Sequence, residues 1–268
     1  MITFREASDR LSAAGVASPE YDARALLRYA EESGADAERL VAERANRVPL
    51  QHLVGTTGFR YLDLEVGPGV FVPRPETEVV VEAVLDAVNG VAAPRVVDLC
   101  AGSGAIGLSV AHEHPGAFVD LVEASGAAVD WLRRNADALR RDGANPSHIR
   151  IHHADLADAP TDVDTIVDVV VSNPPYVALH ERELVDPEVR DHDPGDALWA
   201  GEDGLDVIRQ VVQRATQLLR PGGLLVIEHS DRQGESAPAV FSGAGYVDVQ
   251  DHLDLTGRPR FTTGTWSA

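Results

Sequence analysis

From Arg95 onward, short β-branched runs alternate with helical stretches, which predicts an α/β fold with a doubly wound, mostly parallel sheet. Three observations carry that expectation. Apolar runs of strand length fall near 95–99, 117–122, 149–152, 166–172, 223–229 and 245–250. Helix-length segments separate most of them. The first run enters a glycine-rich turn and then the helical stretch Ala105 to Glu113, the strand–loop–helix order in which such sheets hold ligands.

Ahead of this sheet, residues 1 to about 48 read as short amphipathic helices. Thr3 and Glu6 have capping-box spacing, and Ser18 precedes Pro19, a cap followed by proline at the first helical position. Tyr21, Ala25, Leu26 and Tyr29 recur at helical spacing and are expected to form a small core. A third helix should run from about Asp36 to Asn46 and stop before Pro49. Residues 57–72 alternate around Gly67-Pro68-Gly69, which predicts a β-hairpin within a linker spanning 56–74. Pro75 should open a helix to about Val88, with Val80, Val81, Val84, Leu85 and Val88 facing inward. At the far end, Arg260 to Trp266 read as a seventh strand. The expected organisation is a helical domain over 1–55, the linker, and a sheet domain over 75–268.

The most informative residues are Asn173-Pro174-Pro175-Tyr176, directly after the buried-strand pattern Val167 to Ser172. A double proline stiffens the turn and removes two N–H donors, leaving backbone carbonyls without ladder partners. Asn173 adds a side-chain carbonyl acceptor and an NH₂ donor. Such a fork can accept both hydrogens of a planar NH₂ group, so it suits an amide or an exocyclic amine.

A second motif lies upstream in Asp98-Leu99-Cys100-Ala101-Gly102-Ser103-Gly104. Glycines let a backbone approach a ligand, and the following helix N-terminus presents unpaired N–H groups. Glu123 closes the next strand about twenty residues on, where a carboxylate can accept ribose hydroxyls. Gly102, Gly104 and Gly107 also fit the G-x-G-x-x-G pattern of dinucleotide enzymes. Loop and acid point to an adenosine-bearing cofactor without choosing among them.

Taken together, the Asp-x-x-x-Gly-x-Gly loop, the acid after the second strand and Asn-Pro-Pro-Tyr after the fourth resemble class I S-adenosylmethionine methyltransferases acting on planar nitrogen. Arg47 to Gly55, Phe71 to Glu78 and the segment from Asp193-Pro194 to Gly204-Leu205 resemble the bacterial, actinobacterial-like release factor glutamine methyltransferases. The resemblance implies a Rossmann-like sheet of seven strands, the last antiparallel between its neighbours. It implies methyl transfer from S-adenosylmethionine, leaving S-adenosylhomocysteine, to the side-chain N5 of the glutamine in the Gly-Gly-Gln loop of peptide chain release factors. It also implies roles for individual residues. Asp98 and the loop Cys100, Ala101, Gly102, Ser103 and Gly104 would face the methionine part of the cofactor, and Glu123 its ribose. Asp155 would approach the adenine amine, with Leu156 on the ring, and Asn173 would border both ligands. Asn173 and Pro174 would hold the reacting amide, with Pro175 and Tyr176 packed around it and Arg74, Glu76 and Glu78 ordering the cleft lip. The helical domain would dock the protein substrate.

Composition narrows the alternatives. The 268 residues carry a net charge of −20 and no lysine at all, so a nucleic-acid partner, which needs a basic face, is disfavoured. The arginine pairs Arg133-Arg134 and Arg140-Arg141 share one helix and read as a solvated face. The single Cys100 forms no intramolecular disulfide, has no evident His/Asn partner, and reads as a packing residue. His112 and His114 lie two apart on a helix and His152-His153 straddle a strand end, so no metal site is expected. No apolar run is long enough to span a bilayer and no signal peptide is evident, giving a cytoplasmic, monomeric protein without a membrane partner as the expectation. Asp186 to Asp196, broken by Pro187 and Pro194, reads as a loop over the cleft. Two chemically close readings stay open: a glutamine methyltransferase of a ribosomal protein, and an adenine N6-methyltransferase using the same fork on a flipped base. A nicotinamide dehydrogenase or nucleotide sensor would use the glycine loop but give Asn173 to Tyr176 no purpose.

Overall fold

A computed structural model describes residues 2–141, 143, 148–158 and 167–267. Ile166, expected to begin the fourth strand of the sheet, lies outside the described residues.

The first helix, α1 (Phe4–Ala13), opens with the expected capping box, in which Thr3 and Glu6 satisfy each other's backbone N–H. Helix α2 (Pro19–Ser33) begins at Pro19, but the Ser18 side chain makes no capping bond. Asp36 caps α3 (Ala37–Ala45) by accepting from the N–H groups of Glu38 and Arg39. The short α4 (Leu50–Val54) follows Pro49 and ends at Gly55, whose φ of 80° is left-handed. These helices bury Leu11, Leu26, Leu40 and Val41 around a core of their own. Its α2 face differs from the expected one. Tyr21 is 69% exposed, and its neighbour Asp22 is buried instead. The reason is a buried ion pair, Arg44 Nε to Asp22 Oδ2 at 2.7 Å, which turns α2 to present the aspartate inward.

A hairpin of β1 (Thr56–Phe59) and β2 (Leu62–Glu65) follows. It turns at Arg60 and Tyr61, not around Gly67-Pro68-Gly69 as the alternation suggests. Arg60 adopts a left-handed φ of 50°, so an arginine occupies a position that ordinarily selects glycine. Its guanidinium stays there because Glu113 Oε1 takes Nε at 2.6 Å and Glu82 Oε2 takes Nη2 at 3.0 Å. Gly67 serves a different need, since a Cβ there would meet the Trp131 ring at 2.5 Å.

After a 3₁₀ turn at Pro75–Thr77, α5 (Glu78–Ala87) buries Val80, Val81 and Val84 against the sheet. The sheet comprises β3 (Arg95–Leu99), β4 (Phe118–Glu123), β5 (Ile149–His153), β6 (Val167–Ser172), β7 (Leu219–Glu228), β8 (Tyr246–Leu253) and β9 (Pro259–Trp266). Its order is β5-β4-β3-β6-β7-β9-β8, with β9 antiparallel to both neighbours and the pairs from β5 to β7 parallel. Helices α5, α6 (Ala105–Glu113) and α7 (Gly126–Arg141) bury Val84, Leu108 and Leu132 in the core on one face. On the other, α9 (Asp206–Leu218) and α10 (Ser236–Gly243) bury Ile208, Val212 and Phe241. Between β6 and α9 lies α8 (Pro187–His192), flanked by 3₁₀ turns at Leu179–Leu184 and Gly195–Ala197. Strand order reverses between β3 and β6, so a crevice opens beyond their carboxyl ends.

Candidate active site

The crevice is a cavity of about 570 Å³ reached by Arg74, Asp98, Glu123, Asp155, Asn173 and the α8 segment. Of the residues singled out in the sequence, Cys100, Ala101, Gly102, Ser103, Leu156, Pro174, Pro175, Tyr176 and Glu76 line it too. Gly104 does not. Its φ is 90° and a Cβ would strike Leu132 Cδ1 at 2.5 Å, so this glycine lets α6 seat on α7. Gly102, also left-handed at 57°, has nothing within 4 Å of a built Cβ and is the glycine that leaves room for a ligand.

The loop is held from three sides. Asp98 is 1% exposed, and its Oδ2 accepts from the Gly107 N–H at 2.9 Å, inside the first turn of α6. Its Oδ1 is buried without a partner among the described residues. Burial drives this carboxyl up to about 7, against the pull of the Gly107 N–H. Glu123 accepts from the backbone of Gly102 at 2.8 Å and of Ser125 at 2.8 Å, one bond to each oxygen. A carboxylate accepts about four bonds, so it can lock the loop and still take a hydroxyl pair. Asn135, buried on α7, donates to the carbonyls of Ser103 at 2.9 Å and Glu65 at 3.1 Å, tying loop and hairpin to one helix.

Cys100 occupies a left-handed φ of 61°, a position that strains any residue but glycine. Its thiol is pushed far up by burial, next by Glu123, so it is not a thiolate nucleophile. Asp155 caps the turn after β5 by accepting from Ala157 N at 3.2 Å, which sets Leu156 at the cavity wall.

Across the cavity, β6 delivers Asn173. The Ser172 hydroxyl donates to the Leu99 carbonyl at 2.6 Å and fixes the ends of β3 and β6 together. Asn173 Nδ2 donates to Thr77 Oγ1 at 3.4 Å. Past the prolines, Val177 N donates to the Leu198 carbonyl at 2.9 Å and Val177 O accepts from Ala200 N at 2.9 Å, so the turn is braced by the segment after α8. The Tyr176 hydroxyl reaches Glu228 Oε1 at 3.3 Å, and burial raises its pKa well above the usual range. Glu228 is itself fully buried, which lifts it to about 7 although Thr77 and Arg260 oppose that shift. Thr77 and Glu228 are not foreseen in the sequence. Glu228 carries the same signal as Glu123, an acid closing an apolar strand.

Arg74 binds Asp193 Oδ2 at 2.6 Å and stacks over the Phe71 ring at 4.9 Å. Asp193, buried, rises to about 6 by desolvation despite Arg74. Glu78 turns away from the cleft lip to accept from Arg60 N at 3.1 Å, so it braces the hairpin. The α8 segment covers the cavity through Val189, Pro194, Asp196, Ala197 and Leu198, as a partly helical cover where an irregular loop was expected. No cluster of three His, Cys, Asp or Glu with metal-holding geometry occurs among the described residues. Nor is any of their helices long and apolar enough to cross a membrane.

Residues 48–188 match the family described as Methyltransferase small domain. A release factor glutamine methyltransferase of Streptomyces coelicolor is 48% identical over 96% of this chain and 95% of its own length. Enzymes of the same name from Mycolicibacterium smegmatis and Bifidobacterium longum are 44% and 42% identical, covering 97% and 96% of this chain and 95% and 96% of their own. Among solved structures, the catalytic domain of hMettl16 in complex with a 3′UTR hairpin aligns at a TM-score of 0.59 and 16% identity, over 85% of this chain and 81% of that one. A 16S rRNA methyltransferase of Thermus thermophilus, in complex with AdoMet and guanosine, aligns at 0.57 and 23% identity, over 78% of this chain and 49% of that one. At such identities these two show the fold alone.

Proposed function

The chain belongs to the release factor glutamine methyltransferases, and from that membership we propose that it moves a methyl group from S-adenosylmethionine to the glutamine N5 of the release factor Gly-Gly-Gln loop. The observation that carries the reading is the placement of Asn173 and Pro174 on one cavity with Asp98, Gly102 and Glu123.

The residues present fit the cofactor. Asp98 Oδ1, buried and without a partner among the described residues, suits an ammonium group, and Gly102 leaves open space on the same cavity. Glu123 has acceptor capacity left for ribose hydroxyls, while Asp155 and Leu156 stand where a purine would lie. Bound there, S-adenosylmethionine supplies an electrophilic methyl on a sulfonium.

An amide nitrogen is a poor nucleophile because its lone pair is delocalised. Asn173 Oδ1 and the Pro174 carbonyl answer this by accepting the two hydrogens of the substrate NH₂. That grip would fix the position and direction of the nitrogen toward the donor. It also favours the positive charge that grows on nitrogen as its bond forms. Pro174 is buried and rigid, so little reorganisation accompanies the step. In this reading the cover around Val189 and Leu198, which borders the cavity, would shield the reacting centre from water. The helices of residues 4–54 dock the release factor in this reading, and the acidic surface suits a protein partner more than a nucleic acid.

Incubation with methyl-labelled S-adenosylmethionine and a release factor, intact or with its loop glutamine replaced by asparagine, tests the proposal. Label should enter the intact factor and vanish with the replacement. Equal labelling of both factors would place the methyl elsewhere, and label entering only a ribosomal protein or adenine-containing RNA would replace the substrate.

A further inference from the structure

Carboxylates reach the cavity from Glu76, Asp98, Glu123, Asp155 and Asp196. Against them stands one cation. Arg74 is the only arginine, lysine or histidine among the described residues that line it. Three contacts fix where that cation sits. Asp193 Oδ2 takes Nη2 at 2.6 Å from a side chain that is 0% exposed and does not itself line the cavity, so the guanidinium is held from behind. The Phe71 ring lies under it, 4.9 Å from ring centre to guanidinium carbon, a stacking that a flat guanidinium makes better than an ammonium. The backbone is fixed as well, because the Arg74 carbonyl accepts from Thr77 N at 3.1 Å in the 3₁₀ turn before α5. Asp193 is the only hydrogen-bond partner of this guanidinium among the described residues, which leaves most of its N–H donors free.

S-adenosylmethionine carries both signs at its methionine end, an ammonium and a carboxylate on one carbon. Asp98 suits the ammonium, but every charged side chain of the cavity except Arg74 would repel the carboxylate. Resting on the proposed function, we propose that Arg74 is the receptor for the α-carboxylate of the cofactor. A guanidinium edge and a carboxylate match in two parallel N–H···O bonds. Because Asp193 engages a single nitrogen, such an edge stays available. The two receptors stand on different segments, Asp98 on β3 and Arg74 at the turn before α5. Gripping both substituents of one carbon fixes the tail against rotation, and with it the direction in which the sulfonium presents its methyl.

Calorimetry on the full-length protein tests this with two ligands, S-adenosylhomocysteine and its decarboxylated analogue, in which hydrogen replaces the carboxylate. Wild type should prefer S-adenosylhomocysteine by about ten- to a hundredfold, the scale of hydrogen bonds between charged groups. In Arg74→Met the preference should vanish, with the analogue bound as in wild type. That variant strands the buried Asp193, so Arg74→Gln combined with Asp193→Asn removes both charges at once and should lose the preference equally. The preference is a ratio within one variant, which a general loosening of the fold does not imitate, since it weakens both ligands together. A wild type that binds the two ligands equally overturns the proposal. So does a preference that survives in the double variant, which would give the carboxylate to the loop amides. Unchanged affinities with a raised KM for release factor would also overturn it and make Arg74 a substrate contact. In these outcomes the cofactor reading stands. Failure of wild type to bind either ligand would instead sink that reading, and this inference with it.

Discussion

Arg44 on α3 reaches across to Glu188 on α8, with Nη2 2.8 Å from Oε1, while its Nε holds Asp22 at 2.7 Å. One guanidinium thus ties the N-terminal helices both to themselves and to the cover of the cavity. Arg47 reinforces the tie at Asp186, 3.1 Å away. The two anchors are separable by mutation. Arg44→Met should strand Asp22 in the core and cost about 3–5 kcal/mol, seen as a lowered denaturation midpoint. Glu188→Gln leaves the Arg44–Asp22 pair intact, so stability should hold while KM for the protein substrate rises. Equal stability loss in both variants would contradict that separation, and an unchanged KM in Glu188→Gln would show that α8 is not held by this contact.

In the proposed function, Asp98 should make cofactor binding pH-dependent. Burial pushes its carboxyl up to about 7, and a cation beside Oδ1 would favour the charged form. Binding should therefore release protons near neutral pH and tighten as pH rises from about 6 to 8. Calorimetry in two buffers of different ionisation enthalpy measures the release directly, and identical heats would contradict it. The stability consequence has the opposite direction. Because the folded pKa is raised above the ordinary 3.8, the contribution of Asp98 is full below that value and lost as pH rises through about 7. Asp98→Asn should accordingly raise the melting temperature of the ligand-free protein at pH 8.

Glu123 locks the loop and, in the proposed function, holds the cofactor ribose; Glu123→Ala removes both. It should weaken S-adenosylmethionine by about 1–3 kcal/mol, the scale of charged hydrogen bonds. Part of that loss belongs to the Gly102 and Ser125 amides left without an acceptor. Limited proteolysis should accordingly cut the loop around Gly102 faster in the variant. Unchanged calorimetric affinity would remove Glu123 from the site.

Asn135 carries a smaller but separate prediction. Asn135→Leu keeps the branched shape and strips the loop and hairpin of three bonds, to Ser103 O, Glu65 O and Glu65 N. A cost of about 1–3 kcal/mol follows from the carbonyls and amide left unsatisfied, measurable by urea denaturation. A variant as stable as wild type would mean that water replaces these bonds without loss.

The sheet was legible in the sequence because its strands are local apolar runs with turns between them, and period alone identifies them. The cavity wall was legible for a related reason: ligand residues of such sheets follow strand ends, where Asp98, Glu123, Asp155 and Asn173 all stand. What local pattern could not reveal depends on partners distant in the chain. Tyr21 and Asp22 exchange their expected places because Arg44 arrives from another helix. The glycines at 67 and 69 look like a hairpin turn, yet they are set by the approach of Trp131 and Ala127 on α7. Gly104 resembles a ligand-facing glycine but answers to Leu132 and Leu108. Thr77 reaches Asn173 from the 3₁₀ turn before α5, and Glu228 reaches Tyr176 only because β7 lies beside β6, so neither signals its partner in sequence.

In the proposed reaction the chemistry turns on Asn173. The most direct measurement compares Asn173→Ala with wild type in two assays on one preparation, methyl transfer to release factor and calorimetric binding of S-adenosylmethionine. Transfer should be abolished while cofactor affinity survives, because in the proposed reaction the carboxamide grips the substrate and the Asp98–Glu123 side the donor. Turnover near wild type, with affinity intact, would contradict the account.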